Sequence, residues 1–231
     1  MAGVHVIQRT TNSSNRNIVR ATSVLVLPSY ATYRSNTTPG IHGAFPEFIH
    51  GFYAGNYGFD AGLMYKDGEF KLFFGGFAGT GDTIWMDKPV PLNSAALGKT
   101  VTFNTQFTTS TKNVMIQTSI GSYSTSLLVG LTDGAYNTMT NGCKFVREMV
   151  IAINKESDGS ILVPTGTYFT TSTFKDTDLV TASGANKKLT TSISSVVTGT
   201  FDTGTPTGTY SGSGSSTIVN DYVHDTGYGS I

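Results

Sequence analysis

The stretch Cys143-Lys-Phe-Val-Arg-Glu-Met-Val-Ile-Ala-Ile153 reads as one long strand, and its two faces decide the fold class. Side chains along a strand point alternately to opposite faces. Val146, Glu148 and Val150 therefore share one side, while Phe145, Arg147, Met149 and Ile151 share the other. Both sides are apolar, yet each is interrupted by charge. A strand covered on both faces belongs to packed layers, where an isolated charge is costly unless it is paired or hydrogen-bonded. The expectation is an all-β fold, an antiparallel two-sheet β-sandwich of the jelly-roll kind with polar groups placed for a purpose.

Flanking segments agree with that reading. Residues 59–65 and 69–74 are strands joined by Lys66-Asp67-Gly68, and an Asp-Gly turn between apolar runs is a strong hairpin signal. In the returning strand Phe70, Leu72 and Phe74 share a face opposite Glu69, Lys71 and Phe73. Further strands are expected at residues 4–8, 18–27, 83–86, 101–107, 113–118, 123–129, 166–174 and 193–201, with 217–223 as an edge strand. Val101, Phe103 and Phe107 face inward while Thr102, Asn104 and Gln106 face water, as in a sheet with one wet face. Residues 29–57 read as a long irregular loop, rich in aromatics, that is either functional or wraps a sheet edge. Residues 202–216 read as a flexible Gly/Thr/Ser-rich segment. Residues 93–97 are the one helical turn expected. The whole chain, 1–231, reads as a single sandwich domain.

Composition narrows the function classes. The chain is 38% hydrophobic and only 13% charged, with 27 glycines; charge is replaced by Thr, Ser, Asn and Gly, as on the hydroxyl-rich faces of extracellular β-proteins. Fifteen basic residues balance fifteen acidic ones, which leaves no basic stripe for phosphates and argues against a nucleic-acid partner. No apolar run approaches the length of a transmembrane helix, and the start of the chain has no signal-peptide core. The lone cysteine, Cys143, excludes an internal disulfide and reads as a small buried hydrophobe.

Two carboxylates interrupt apolar strand faces. Asp60 shares its face with Gly62 and Met64, and Glu148 lies between Val146 and Val150. One reading is a catalytic carboxyl pair on a curved sheet, as in glycoside hydrolysis; the other is structural ion pairing. The E-x-D-x-x-E arrangement of jelly-roll glucanases is absent. A second hydrolytic reading pairs Glu148 with Gln106 or Gln117, since glutamic peptidases on a β-sandwich activate water with such a pair. Tyr53, Asn56, Tyr57, Asp60, Asp82, Trp85, Tyr136 and Asn137 supply aromatic and planar polar groups suited to sugars. His5, His42, His50 and His224 lack zinc-ligand spacing, and no calcium, phosphate-binding or nucleophile-elbow motif is present, so no metal and no cofactor is expected.

The stretches Phe59-Asp-Ala-Gly-Leu-Met-Tyr-Lys-Asp-Gly-Glu-Phe-Lys-Leu-Phe-Phe74, Lys88-Pro-Val-Pro-Leu92 and Gly166-Thr-Tyr-Phe-Thr-Thr-Ser-Thr-Phe174 resemble secreted bacterial β-sandwich proteins of Bacillus type, similar to the concanavalin-like jelly roll. The resemblance spans about residues 50–200, implies fold and export, and carries no site residues. The leading expectation is thus a secreted or cell-surface lectin-like protein that binds a glycan or cell-wall polymer. Alternatives are a self-assembling, homo-oligomeric surface protein, a pore-forming toxin built on residues 102–126, and a glycoside hydrolase or glutamic peptidase.

Overall fold

A computed structural model describes residues 2–11, 15–33, 44–77, 83–90, 93–153, 168–201, 206–211 and 218–225. Fifteen strands are assigned among them. They are β1 (Ala2–Thr10), β2 (Ile18–Val26), β3 (Ala44–Ala54), β4 (Tyr57–Lys66), β5 (Glu69–Phe77), β6 (Thr83–Pro89), β7 (Thr100–Thr108), β8 (Asn113–Ile120), β9 (Tyr123–Gly130), β10 (Lys144–Ile153), β11 (Tyr168–Thr181), β12 (Asn186–Lys188), β13 (Ser194–Phe201), β14 (Pro206–Ser211) and β15 (Ile218–Asp225). Seven form a sheet in the order β13-β1-β10-β3-β4-β5-β6; the second runs β14-β15-β11-β2-β7-β8-β9, with β12 paired to β11. Every pairing is antiparallel. This is the two-sheet sandwich expected from the sequence.

The predicted faces are those observed. Phe145, Met149 and Ile151 of β10, Phe59, Ala61 and Leu63 of β4, and Phe70, Leu72 and Phe74 of β5 all join the main core. Val101 and Phe103 of β7, Val114 and Ile116 of β8, and Phe169 and Phe174 of β11 meet them from the other sheet. Strands β7 to β9, which contain residues 102–126, are thus anchored through one face in this core. The β4–β5 hairpin turns at Asp67 (φ 58°) and Gly68 (φ 78°), two consecutive positive φ angles that match the twist of the flanking strands.

A polar seam crosses the core. Arg147, fully buried, donates from Nε (2.9 Å) and Nη2 (2.6 Å) to Gln8 Oε1 and from Nη1 to Thr177 Oγ1 (2.7 Å). Thr177 Oγ1 lies 2.7 Å from Ser23 Oγ, which lies 2.8 Å from His50 Nε2. The charge that the sequence placed on the inner face of β10 is therefore held by neutral acceptors across both sheets.

Three expectations are corrected. Ala44–Ala54, inside the predicted loop over 29–57, is a full central strand. Its alternation was hidden because polar residues interrupt both faces, Glu47 on one and His50 on the other. Asp133–Thr140, read as loop, is a helix (α1) whose first turn is capped by the Thr132 side chain accepting from the Ala135 amide. Pro206–Ser211, within the predicted flexible segment, is an edge strand, so Ile218–Asp225 lies one place inside the edge. The short 3-10 turn at Asn93–Ala96 falls where the helical turn was expected.

Candidate active site

The face of the seven-stranded sheet turned away from the core carries the acids. Strand register sets them in three successive rows. The first runs Val150–Glu47–Met64–Lys71–Pro89, the second Glu148–Ile49–Gly62–Phe73–Asp87, and the third Val146–Gly51–Asp60–Gly75–Trp85. Glu47 and Glu148 are diagonal neighbours on adjacent strands, about 7–8 Å apart at the backbone. Asp60 and Glu148 flank β3 from either side, two strand spacings or about 10 Å across the sheet. Ile49, Met64, Phe73, Val150 and Ala152 form a second buried apolar cluster on this same face. Glu47, Asp60 and Glu148 thus project around this apolar cluster, while Glu69 and Asp87 stand on the same face toward the β5–β6 edge, Glu69 beside Lys71.

That environment governs their chemistry. Glu47 is 3% exposed and its Oε2 has no hydrogen-bond partner. Its pKa is raised well above the ordinary carboxylate range, first by burial and then by the negative charges of Asp60 and Glu148. Glu148 is 6% exposed. Asp60 is half-buried and accepts a hydrogen bond from the Tyr53 hydroxyl. Burial and the adjacent Asp60 charge push the Tyr53 phenol up, so it keeps its proton and donates.

Glycines make this geometry possible. A Cβ on Gly51 would stand 2.8 Å from both Asp60 Oδ1 and the Tyr53 ring, and one on Gly58 would stand 2.5 Å from that ring. Tyr53 lies flat over two side-chain-free positions and reaches the carboxylate. On the other flank Trp85, 51% exposed, stacks on Phe73 with centroids 5.3 Å apart and covers Gly75. Beside Tyr53 and Asp60 opens a cleft of about 320 Å³, lined also by Asn56, Tyr57, Gly75 and Gly76.

Four predicted ligand residues, Tyr53, Asn56, Tyr57 and Asp60, therefore share one cleft, with Trp85 at its side. Tyr136 and Asn137 instead lie on α1 and do not line it; Asp82 falls outside the described residues. Gln106 and Gln117 do not join Glu148. They sit on β7 and β8 of the opposite sheet, alternating with core residues, and Gln117 Nε2 donates to Ser124 Oγ at 3.0 Å. The core separates them from Glu148, so a glutamine from either strand cannot serve it, and the second polar group near Glu148 is a carboxyl. Of the histidines, His50 is buried in the core seam; His42 and the side chains of His5 and His224 lie outside the described residues. Among the described residues no group of three or more His, Cys, Asp or Glu is arranged to hold a metal ion. Glu47 was missed by the sequence reading, although counting by twos back from Gly51 and Ile49 reaches it.

A two-sheet antiparallel sandwich carrying acids on an outer sheet face defines the class that the geometry supports. Neither a known family profile nor a curated protein sequence matches the chain, so sequence lends no support to the Bacillus-type resemblance. Solved structures do match the fold. Scytalido-glutamic peptidase, solved with a peptide-based transition state analog, superposes with a TM-score of 0.60 at 11% identity, covering 96% of this chain and 98% of that one. SCP-B, a member of the eqolisin family of peptidases solved with the tripeptide Ala-Ile-His, superposes at 0.57 with 9% identity over 96% and 98%. An endo-1,3-beta-glucanase from Streptomyces sioyaensis also matches, at 0.37 and 12%, over 96% of this chain and 63% of that one.

Proposed function

We propose that this chain is a hydrolase that cleaves peptide bonds with a water molecule activated by the carboxyl groups of Asp60 and Glu148. The observation that carries the reading is the clustering of Glu47, Asp60 and Glu148 on an apolar stretch of one sheet face, where burial and the charges of the other two raise the pKa of Glu47. In the reaction one of the two, Asp60 or Glu148, acts as base and the other as acid. The ionised member takes a proton from water as the water oxygen bonds to the carbonyl carbon. The protonated member donates to the carbonyl oxygen, and a proton then passes to the amide nitrogen as the C–N bond breaks. The products are a carboxylic acid and an amine, and no other reactant is consumed.

Other residues prepare this chemistry. Glu47, protonated by its surroundings, places no further negative charge beside Glu148. Tyr53 holds Asp60 in one orientation through its hydroxyl. Gly51 and Gly58 leave the room that the Tyr53 ring occupies beside Asp60. The likeness in fold to two peptidases favours an amide substrate over the glycan first expected from the sequence.

Glycoside hydrolysis is the second reading, and the exposed Trp85 face beside Asp60 favours it, because sugars stack on indole. One experiment separates the two. The wild type and the Glu148→Gln variant are incubated across acid and neutral pH with a proteome-derived peptide mixture and, separately, with soluble β-glucans. New peptide termini by mass spectrometry, absent with the variant, are the expected result. Release of reducing sugar with intact peptides would transfer the site to glycans, and inertness toward both would remove the hydrolase reading.

A further inference from the structure

Where β10 begins and β3 ends, a second pocket of about 500 Å³ abuts the carboxyl cleft, sharing Tyr53 and Gly55 with it. Its charge is of the opposite sign. Arg16 and Lys144 line it together with Thr138, and Arg9 stands on β1 opposite Val146, beside Lys144 on the same face. Among the described residues no carboxylate pairs with Arg9, Arg16 or Lys144. Lys144 has its pKa lowered, first by burial and then by the positive charges of Arg9 and Arg16. Two cations therefore line an open cavity, with Arg9 adding its charge to theirs from the next strand, an arrangement that an anion would relieve.

We infer that this pocket receives a carboxylate of the peptide whose bond the neighbouring acids attack, either an acidic side chain or the free C-terminus. The inference rests on the hydrolase reading and adds the substrate class to it. Spacing sets the position. Lys144 precedes Glu148 by four residues on one strand, about 13 Å, and an extended peptide advances about 3.3 Å per residue. Allowing for the reach of both side chains, the carboxylate belongs two to four residues from the cleaved bond. The arrangement also keeps that carboxylate away from the acids, whose charge would repel it.

The test measures equilibrium binding to the Glu148→Gln variant, which stops turnover but leaves the pocket intact. The probes are eight-residue peptides carrying Asp or Asn at each position in turn, each with a free or an amidated C-terminus, at low ionic strength. Acid forms at one position, or free C-termini, should bind about tenfold more tightly than their amides, as a charge-assisted contact does. The ratio should fall to about one when Arg16→Gln and Lys144→Met are added, and at high salt. If that combination fails to fold, Arg16→Gln alone should still reduce the ratio, since Arg16 is exposed. Equal binding of acid and amide, or a preference that survives both changes, would overturn the inference. Wild-type hydrolysis without acid preference removes this inference alone; acid preference without hydrolysis removes the hydrolase reading and keeps the pocket.

Discussion

Glu47 and His50 stand three residues apart on one strand, on opposite faces, and pull stability in opposite directions with pH. Burial raises the pKa of Glu47 in the folded chain, so the folded state holds a proton that the unfolded state releases. Its contribution is fully present below the unfolded value and declines as pH rises through the folded one. Burial and Arg147 lower the pKa of His50, so its contribution is present above the unfolded value and is lost as pH falls toward the folded one. Melting temperature against pH should accordingly be flatter on the alkaline side for Glu47→Gln, which should also raise stability at pH 7. An unchanged profile would mean that Glu47 is solvated. Cys143 makes a simpler test: burial pushes its thiol up to about 12, and its Sγ–H points to the Met139 carbonyl at 3.3 Å. Native protein at pH 8 should resist thiol alkylation that proceeds readily after denaturation.

At the scale of elements, the parts that were legible in the sequence are those whose period survives polar interruption. Strand β10 and the β4–β5 hairpin declared their core face through Phe145, Met149, Phe59, Leu63, Phe70 and Phe74, and the Asp67-Gly68 turn fixed the register of β4 with β5. Strand β3 was not legible because Glu47 and His50 break both faces, and only pairing with β10 and β4 reveals the pattern. The cost reached the site, for Glu47 and the Gly51 floor lie on β3. Helix α1 escaped because Asp133-Gly-Ala-Tyr-Asn-Thr-Met-Thr140 contains weak helix formers and buries only Ala135 and Met139; its existence depends on tertiary packing and on the Thr132 cap. Thr132→Ala should destabilise the protein by about 1 kcal/mol in chemical denaturation. Gly51→Ala should act differently, displacing the Tyr53 ring and the Asp60 carboxylate. Peptide cleavage should fall at least about tenfold through lost positioning, with the fold retained by circular dichroism.

Taken as a whole molecule, the sandwich separates two polar systems that the sequence alone could not tell apart. Arg147 and Glu148 are consecutive residues, yet one points into the core seam and the other onto the carboxyl face. The seam is structural: Arg147→Ala would leave Gln8 and Thr177 without their donor and open a cavity, at about 3 kcal/mol or more. The carboxyl face is where the proposed chemistry resides, and its pH–rate profile is the most direct test. The specificity constant for a cleaved peptide, measured from pH 2 to 8, should be bell-shaped in the wild type, reporting one group that acts as base and one that acts as acid. Asp60→Asn and Glu148→Gln should each lower it by at least about a hundredfold while melting temperature at pH 7 is held or raised. A flat profile, or either variant cleaving at the wild-type rate, would contradict the account.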